Sequence, residues 1–448
     1  MSTTNRLPPG RAGLPVIGET PNFVSNPTQF VVERYAKYGP IFRSHIFGAP
    51  TIFFVGPEAL HFVLSSHRDH FSSSEGWPEG LKMLMGESWL RKDDEEHTRN
   101  RRTLVPVFHG NALAGYAAIM EATILRYLEQ WEAQREFAWY PALRQMAFEI
   151  ASQVLLGIAS SEKDAQDINQ LFILCAKGME GLHPLFPTRL PWTPFGRALA
   201  AHVKLIQYIK QIIHKRIQTP AHDGISLMIQ AYNTDGKGID IEELAEYVLF
   251  FLWAGHESVT SFSTSFCLEM ALHPDILQHA REEQRVLEGS DLALLEKVKQ
   301  MEYLNQIVLE VERFHPPFTG SLRGVVKPFD YQGFSVPAGW RVIWSIAGTH
   351  RIDTLYPDPG RFDPDRFHAV PVSQMRHNFH LAGFGGGVRS CLGRDFARLE
   401  VKLLASHLLR KYRWHLLSRQ RPDQTSTPNS TWPPHQPRDG LRVSFQRL

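Results

Sequence analysis

Cysteine is scarce in this 448-residue chain: the three present, Cys175, Cys267 and Cys391, lie far apart. Their scatter argues against a disulfide framework or a paired-cysteine zinc site, and it fits a reducing compartment. Long apolar runs are missing too. The longest, YVLFFLWAG at 247–255, falls well short of the roughly 20 residues that span a bilayer, and it reads as part of a buried helix. The opening MSTTNRLPPGRAGLPVIGE is polar and proline-rich, without the apolar stretch of a signal peptide. Neither sign of charge dominates: a net charge of +2 gives no footprint for nucleic acid. Internal repeats and long low-complexity linkers are absent. The expectation is a cytoplasmic monomer with no membrane anchor and no nucleic-acid partner.

With 43% apolar residues, the chain has enough material for a large core. Its chemistry concentrates in LAGFGGGVRSCLGRDFARLE (381–400), where Cys391 follows three consecutive glycines and precedes an amphipathic helix. Backbone N–H groups and the positive end of a helix lower the cost of a thiolate in such a turn. With no second cysteine nearby, one axial bond to haem iron is the best remaining use; a buried structural cysteine is the alternative. Cys175 and Cys267 sit in apolar helical stretches and read as packing residues.

Phe384, Gly387, Arg389, Cys391 and Gly393 complete the arrangement F-x-x-G-x-R-x-C-x-G. This segment resembles the haem-binding segment of the cytochrome P-450 family. The resemblance implies haem b, with Cys391 as the iron ligand. Phe384 shields the sulfur, Arg389 pairs with a propionate, and Gly387 and Gly393 allow close approach of backbone to the ring. Three further segments extend the resemblance over essentially the whole chain. Glu310 and Arg313 form E-x-x-R, and PDRF supplies Arg366; the family joins these residues in a buried structural trio behind the cysteine loop. AGHESVT (254–260) resembles the oxygen-activation segment, with Glu257 relaying protons and Ser258 supplying the alcohol where most relatives have threonine. His97, Arg101 and Arg323 match the family's propionate partners. Arg394, Arg398 and Lys402 recur every four residues after the cysteine, forming either a docking stripe for a ferredoxin-type electron donor, extended by Arg99 and Arg102, or a solvated face. Microsomal relatives carry an N-terminal anchor, so the polar opening of this chain suggests a soluble bacterial type.

The resemblance also sets the expected fold: mainly α with a smaller β-rich portion, in one cytochrome P-450 domain over 1–448. Helical periodicity occupies about 97–315 and 392–412, with stretches near 110–157, 164–182, 194–217, 241–272 and 275–314. Strand patterns fall in about 35–65, 318–346 and the C-terminal tail, and the first strand pair is read as a hairpin around Gly48-Ala49-Pro50. The substrate pocket is expected to draw on Trp77, Leu81, Leu84, Phe186, Ala254, Phe318 and Trp432, each of which also fits an ordinary core. The segments EGWPEGLKMLMG, FLWAGHESVTS and FGGGVRSCLGRDFARLE are closest to retinoic-acid hydroxylases of cyanobacteria and animals. By that analogy Lys82 faces an acidic substrate; otherwise it is a solvated loop lysine. The implied activity is insertion of oxygen from dioxygen into a hydrophobic small molecule such as a retinoid. A peroxygenase or isomerase acting on fatty acids or terpenoids and a non-catalytic haem-based ligand-binding protein are the alternatives.

Overall fold

A computed structural model describes the chain except residues 1–5, 159–162, 180–186, 235, 237, 239, 418–436 and 438. Helices dominate it. The longest, the central helix Ile241–Leu272, has 32 residues and is roughly 48 Å long at 1.5 Å per residue. Its start is fixed by Asp240, whose carboxylate accepts from the N–H groups of Glu242 and Glu243 at 2.9 and 3.2 Å. The two glutamates add negative charge where the helix dipole favours it. Pro274 opens the next helix, so the central one ends at Leu272. Apolar side chains surround most of its length, and it packs against the helices Trp139–Leu156, Pro194–Gln218, Glu302–Phe314 and Arg394–Lys411. A helix apolar all round must be buried, and this one is the axis of the molecule.

Strands β1 (Ile41–Ile46), β2 (Ala49–Val55), β3 (Phe71–Ser72), β5 (Gly320–Val325) and β8 (Arg341–Ser345) form one sheet in the order β1-β2-β8-β5-β3. A second sheet joins β4 (Glu136–Ala138), β10 (Arg442–Arg447) and β9 (Tyr412–Leu416), and β6 (Phe329–Tyr331) pairs with β7 (Phe334–Val336). The hairpin expected near residue 48 is present, one step earlier than its sequence suggests. Phe47 and Gly48 form the turn with φ of 53° and 73°, while Ala49 and Pro50 already belong to β2. Two consecutive residues at positive φ match the right-handed twist of the strands on either side.

Helix boundaries depart from the sequence reading where the chain pauses briefly. The stretch expected near 110–157 splits into Asn111–Gln134 and Trp139–Leu156, because Arg135 adopts a φ of 63° and β4 intervenes to pair with β10. The stretch near 275–314 divides into Pro274–Glu288, Leu294–Gln300 and Glu302–Phe314. Within the strand-rich region near 35–65, residues Pro57–Ser66 are helical. Upstream, Pro27–Tyr38 is a helix capped by Asn26, whose side chain accepts from the Gln29 N–H at 3.0 Å.

Candidate active site

The segment around Cys391 is shaped by glycines that no other residue could replace without strain. Gly385 and Gly387 have φ of 70° and 61°, and a Cβ at Gly387 would stand 2.5 Å from the Leu64 carbonyl oxygen. The loop closes on itself: the Cys391 N–H donates to the Phe384 carbonyl at 2.8 Å, and the Gly385 N–H to Ala382 at 2.8 Å. Cys391 is accessible, but the surface it faces is a cavity with room for solvent-sized atoms over about 290 Å³. Burial raises the free thiol above its ordinary range, against the opposing pull of the Gly393 N–H, Arg101 and Arg394. Desolvation therefore outweighs the glycine turn and helix end in the protein alone, and a positive ion at the sulfur is what would reverse that balance. Apart from Gly393 itself and its chain neighbours, no atom of the described residues lies within 4 Å of a Cβ placed on Gly393, which borders the cavity.

The central helix supplies another part of the cavity wall, through Ala254, Gly255, Ser258 and Val259. Ser258 turns its hydroxyl back onto the Ala254 carbonyl at 2.7 Å. Glu257 points elsewhere and does not line the cavity. Its carboxylate accepts from Arg144 Nε at 3.0 Å and Tyr140 at 3.4 Å, with His256 Nε2 at 3.4 Å. Burial would raise this carboxyl, but His256 and Arg144 prevail and hold it down at about 2. The structure thus separates the two members of the expected relay, because adjacent helical residues project about 100° apart.

Of the expected propionate partners, His97, Arg323 and Arg389 reach the cavity wall. His97 stacks on Trp89 with centroids 4.8 Å apart; burial, with Arg389, Arg101 and Arg323 nearby, pushes it down to about 3, so the ring is neutral here rather than a cation. Arg389 pairs with Asp93 at 2.8 Å. Arg101 does not line the cavity; it donates to the Ser390 carbonyl at 2.7 Å and to the Ser390 hydroxyl at 3.2 Å, bracing the cysteine loop instead. Arg323 is buried, donates to the neighbouring Leu322 carbonyl at 2.6 Å and has no carboxylate salt-bridged to it among the described residues. Burial pushes it down to about 9. The carboxylate acting on it, Asp93, is already paired with Arg389, so burying this guanidinium is costly. A planar group with acidic arms, seated in the cavity that Cys391 and the central helix both line, supplies what Arg323 lacks, so the residues present fit haem.

Trp77, Leu81, Ala254 and Phe318 line the cavity. Leu84 borders a small side chamber that shares Met85 and Met179 with the main one. Lys82 does not face the cavity: it pairs with Glu79 at 2.9 Å and Glu75 at 3.5 Å. The phase of helix Glu79–Met85 explains this, since Leu81 and Met85 are four apart on the face that lines the cavity and position 82 lies about 100° round from Leu81. Phe186 and Trp432 lie outside the described residues. Sequence reasoning missed Trp89, Trp253, Phe262, Trp344 and Glu312, all on the wall. Glu312 had a signal only in lying between the specified members of E-x-x-R.

Behind the cysteine loop, Glu310 accepts from Arg313 at 2.6 and 2.7 Å and from Arg366 at 3.1 Å. Arg313 also donates to the carbonyls of His350, Pro359 and Arg361. The basic stripe is less uniform than its spacing suggests. Arg394 pairs with Asp395 at 3.0 Å, Arg398 donates to Asn305, and Lys402 is buried against the Val298 carbonyl, where burial pushes it down to about 8. Eight residues advance a helix by about 80° beyond whole turns, which carries position 402 from the surface into the core.

The chain matches the Cytochrome P450 family model over residues 8–438. It is 37% identical over 447 residues to cytochrome P450 120 of Synechocystis sp., covering 99% of this chain and 97% of that protein. Cytochrome P450 26A1 of Xenopus laevis is 32% identical, covering 95% of this chain and 88% of that one. A retinoic-acid-bound cyanobacterial CYP120A1 superposes with a TM-score of 0.87 at 35% identity, covering 99% of this chain and all of that one. This chain belongs to the cytochrome P450 family. It is a monooxygenase, and its cofactor is haem b. Among the described residues, no helix is long and apolar enough to cross a membrane.

Proposed function

We propose that the chain hydroxylates a retinoid, with retinoic acid as the first candidate. The observation that carries this reading is an apolar, tryptophan-rich cavity, lined by both Cys391 and Ser258, in a chain that aligns end to end with a retinoic-acid-bound relative. Haem bound there supplies activation of dioxygen, so that R–H, dioxygen, two electrons and two protons give R–OH and water. Cys391 would hold the iron as a thiolate, with Phe384 beside it on the cavity wall. Arg323, Arg389 and neutral His97 would hold the propionates, while Arg101 keeps the cysteine loop in place through Ser390. Ser258 places a hydroxyl on the cavity wall and, with water, would order the protons arriving there. Glu257, ionised and held by Arg144, relays a proton toward that site only after exchanging Arg144 for water. Trp77, Leu81, Ala254 and Phe318 hold the polyene away from solvent. A retinoid carboxylate does not meet Lys82 in this arrangement, because Glu75 and Glu79 already hold that ammonium.

Electrons come from a ferredoxin-type protein. Arg99 and Arg102 are exposed on the helix whose Arg101 grips the cysteine loop, and with the half-exposed Arg394 they form the cationic face such a partner would meet.

Titrating the ferric protein with retinoic acid, a fatty acid and an unrelated terpenoid tests the reading. The expected result is a low-to-high-spin Soret shift with the retinoid, followed by a hydroxylated product when a surrogate ferredoxin system is added. Neither shift nor product with any retinoid would remove that substrate class. Cys391→Ala should abolish the ferrous carbon monoxide band of thiolate-bound haem, and a retained band would remove Cys391 as ligand.

A further inference from the structure

One charged group on the cavity wall has no part in the chemistry above. Glu312 lies in the helix Glu302–Phe314, 2% exposed, beside Gly383, Phe384 and Cys391 on the same wall. Arg376 clamps it with two parallel bonds of 2.7 and 2.5 Å from the two guanidinium nitrogens. The same guanidinium sits over the Phe384 ring, 5.5 Å from its centroid. The loop makes room for this arrangement: a Cβ on Gly383 would stand 2.3 Å from Glu312 Cγ, closer than any packing tolerates. A glycine at 383 is therefore what permits a carboxylate at 312.

The cations around the sulfur are numerous. Arg101 grips Ser390, Arg394 opens the following helix, and Arg398 lies a turn further on. Among the described residues that line the cavity, Glu312 is the one carboxylate, and it shares that wall with Cys391. Its placement is expensive, since a buried pair must overcome the desolvation of two ions. The helix is already tied to the loop region by Glu310 and Arg313, so anchorage alone does not require a second buried pair.

We propose that the Glu312–Arg376 pair sets the electrostatic potential on the thiolate side of the haem, and with it the ease of the first electron transfer. That step moves one electron from the redox partner to ferric iron, giving ferrous iron, with no bond made or broken and no proton moved. Negative charge near the sulfur disfavours the added electron; the paired arginine offsets it. The proposal rests on Cys391 being the iron ligand.

Spectroelectrochemical titration of the haem-loaded protein tests it without reference to turnover. Glu312→Gln should shift the ferric–ferrous midpoint to more positive potential, on the order of a tenfold larger ferrous-to-ferric ratio at fixed applied potential, which is 59 mV for one electron. Arg376→Met, measured at alkaline pH, should shift it the opposite way, and the E312Q/R376M double variant should return most of the way to the parent value. Arg376→Lys, which keeps the charge, should stay near the parent. A purely structural pair would weaken haem retention in both single variants without opposite shifts. Unchanged midpoints, or shifts of one sign in whichever single variants hold haem, would overturn the proposal. A lost thiolate band in the carbon monoxide complex of the unmutated protein would instead overturn Cys391 as ligand.

Discussion

Burial opposes the ionised form of Glu257, yet His256 and Arg144 beside it hold the carboxyl at about 2. A carboxyl lower in the folded protein than in the unfolded chain stabilises the fold above its ordinary value of 4.5. The unfolded chain takes up the proton first, so that stability is lost as pH falls from 4.5 toward about 2. His350 opens an earlier window. Its ring donates from Nδ1 to the Arg313 carbonyl at 3.1 Å and accepts the Ala382 N–H at Nε2 at 2.9 Å, which requires the neutral form. Burial, then Arg313, pushes it down to about 3, so acid favours the unfolded chain already below 6.5. Urea unfolding at a series of pH values should show stability declining through the first window and more steeply in the second. In Glu257→Gln the second decline should be shallower, and an identical slope would show that Glu257 is not ionised in the fold. Neither Arg144 nor Tyr140 could be read beside AGHESVT, because they lie more than a hundred residues upstream on a helix with no motif of its own. Ser258 was readable at once, since its role follows from its place in one local pattern.

At the level of elements, the helix Glu302–Phe314 is the hub between the meander before Cys391 and the cavity. One face sends Glu310 and Arg313 toward Arg366, and the next sends Glu312 toward Arg376. Glu310 and Arg313 are fully buried, so deleting one charge strands the other. Glu310→Gln should cost about 3–5 kcal/mol in chemical denaturation and leave the purified protein deficient in haem. A loss below about 1 kcal/mol, typical of exposed pairs, would mean that the trio is solvated in solution. The sequence made this trio legible because its members keep a fixed spacing and order. It left Glu312–Arg376 illegible because 64 residues separate the partners and the two variable positions of E-x-x-R announce nothing. Helix phase was the other blind spot. Spacing by four marked Arg394, Arg398 and Lys402 as one stripe, but only packing decides that Lys402 turns inward.

At the scale of the whole molecule, the central cavity carries a buried cation whose nearby carboxylate, Asp93, is already shared with Arg389. Arg323 is buried at the cavity wall with no carboxylate salt-bridged to it among the described residues. The haem-free protein should therefore melt well below the haem-loaded one, because a tightly held cofactor adds about 4 kcal/mol at a thousandfold excess over its dissociation constant. Arg323→Met should narrow that gap by stabilising the haem-free form while weakening haem retention; a gap left unchanged would show that Arg323 does not answer the propionates. The overall architecture was legible through the motifs that carry the family resemblance, whereas periodicity alone marked only a mostly helical chain with a long apolar helix at 241–272. The connections between distant strands were not, since no local signal records a partner. β2 runs parallel to β8, pairing Thr51–Val55 with Arg341–Ser345, and β4 pairs with β10 at Arg442–Ser444. These pairings impose a timetable on the chain as it is made. At ribosomal speeds of about 5–20 residues per second, the first hairpin waits roughly 15–60 s before its partner strand emerges. Until then β2 has an unfilled edge, and Cys391 has not yet been added. Nascent chains are therefore most exposed to wrong strand pairing in their middle portion, and slowing translation there would lengthen that vulnerable interval rather than help the chain to fold.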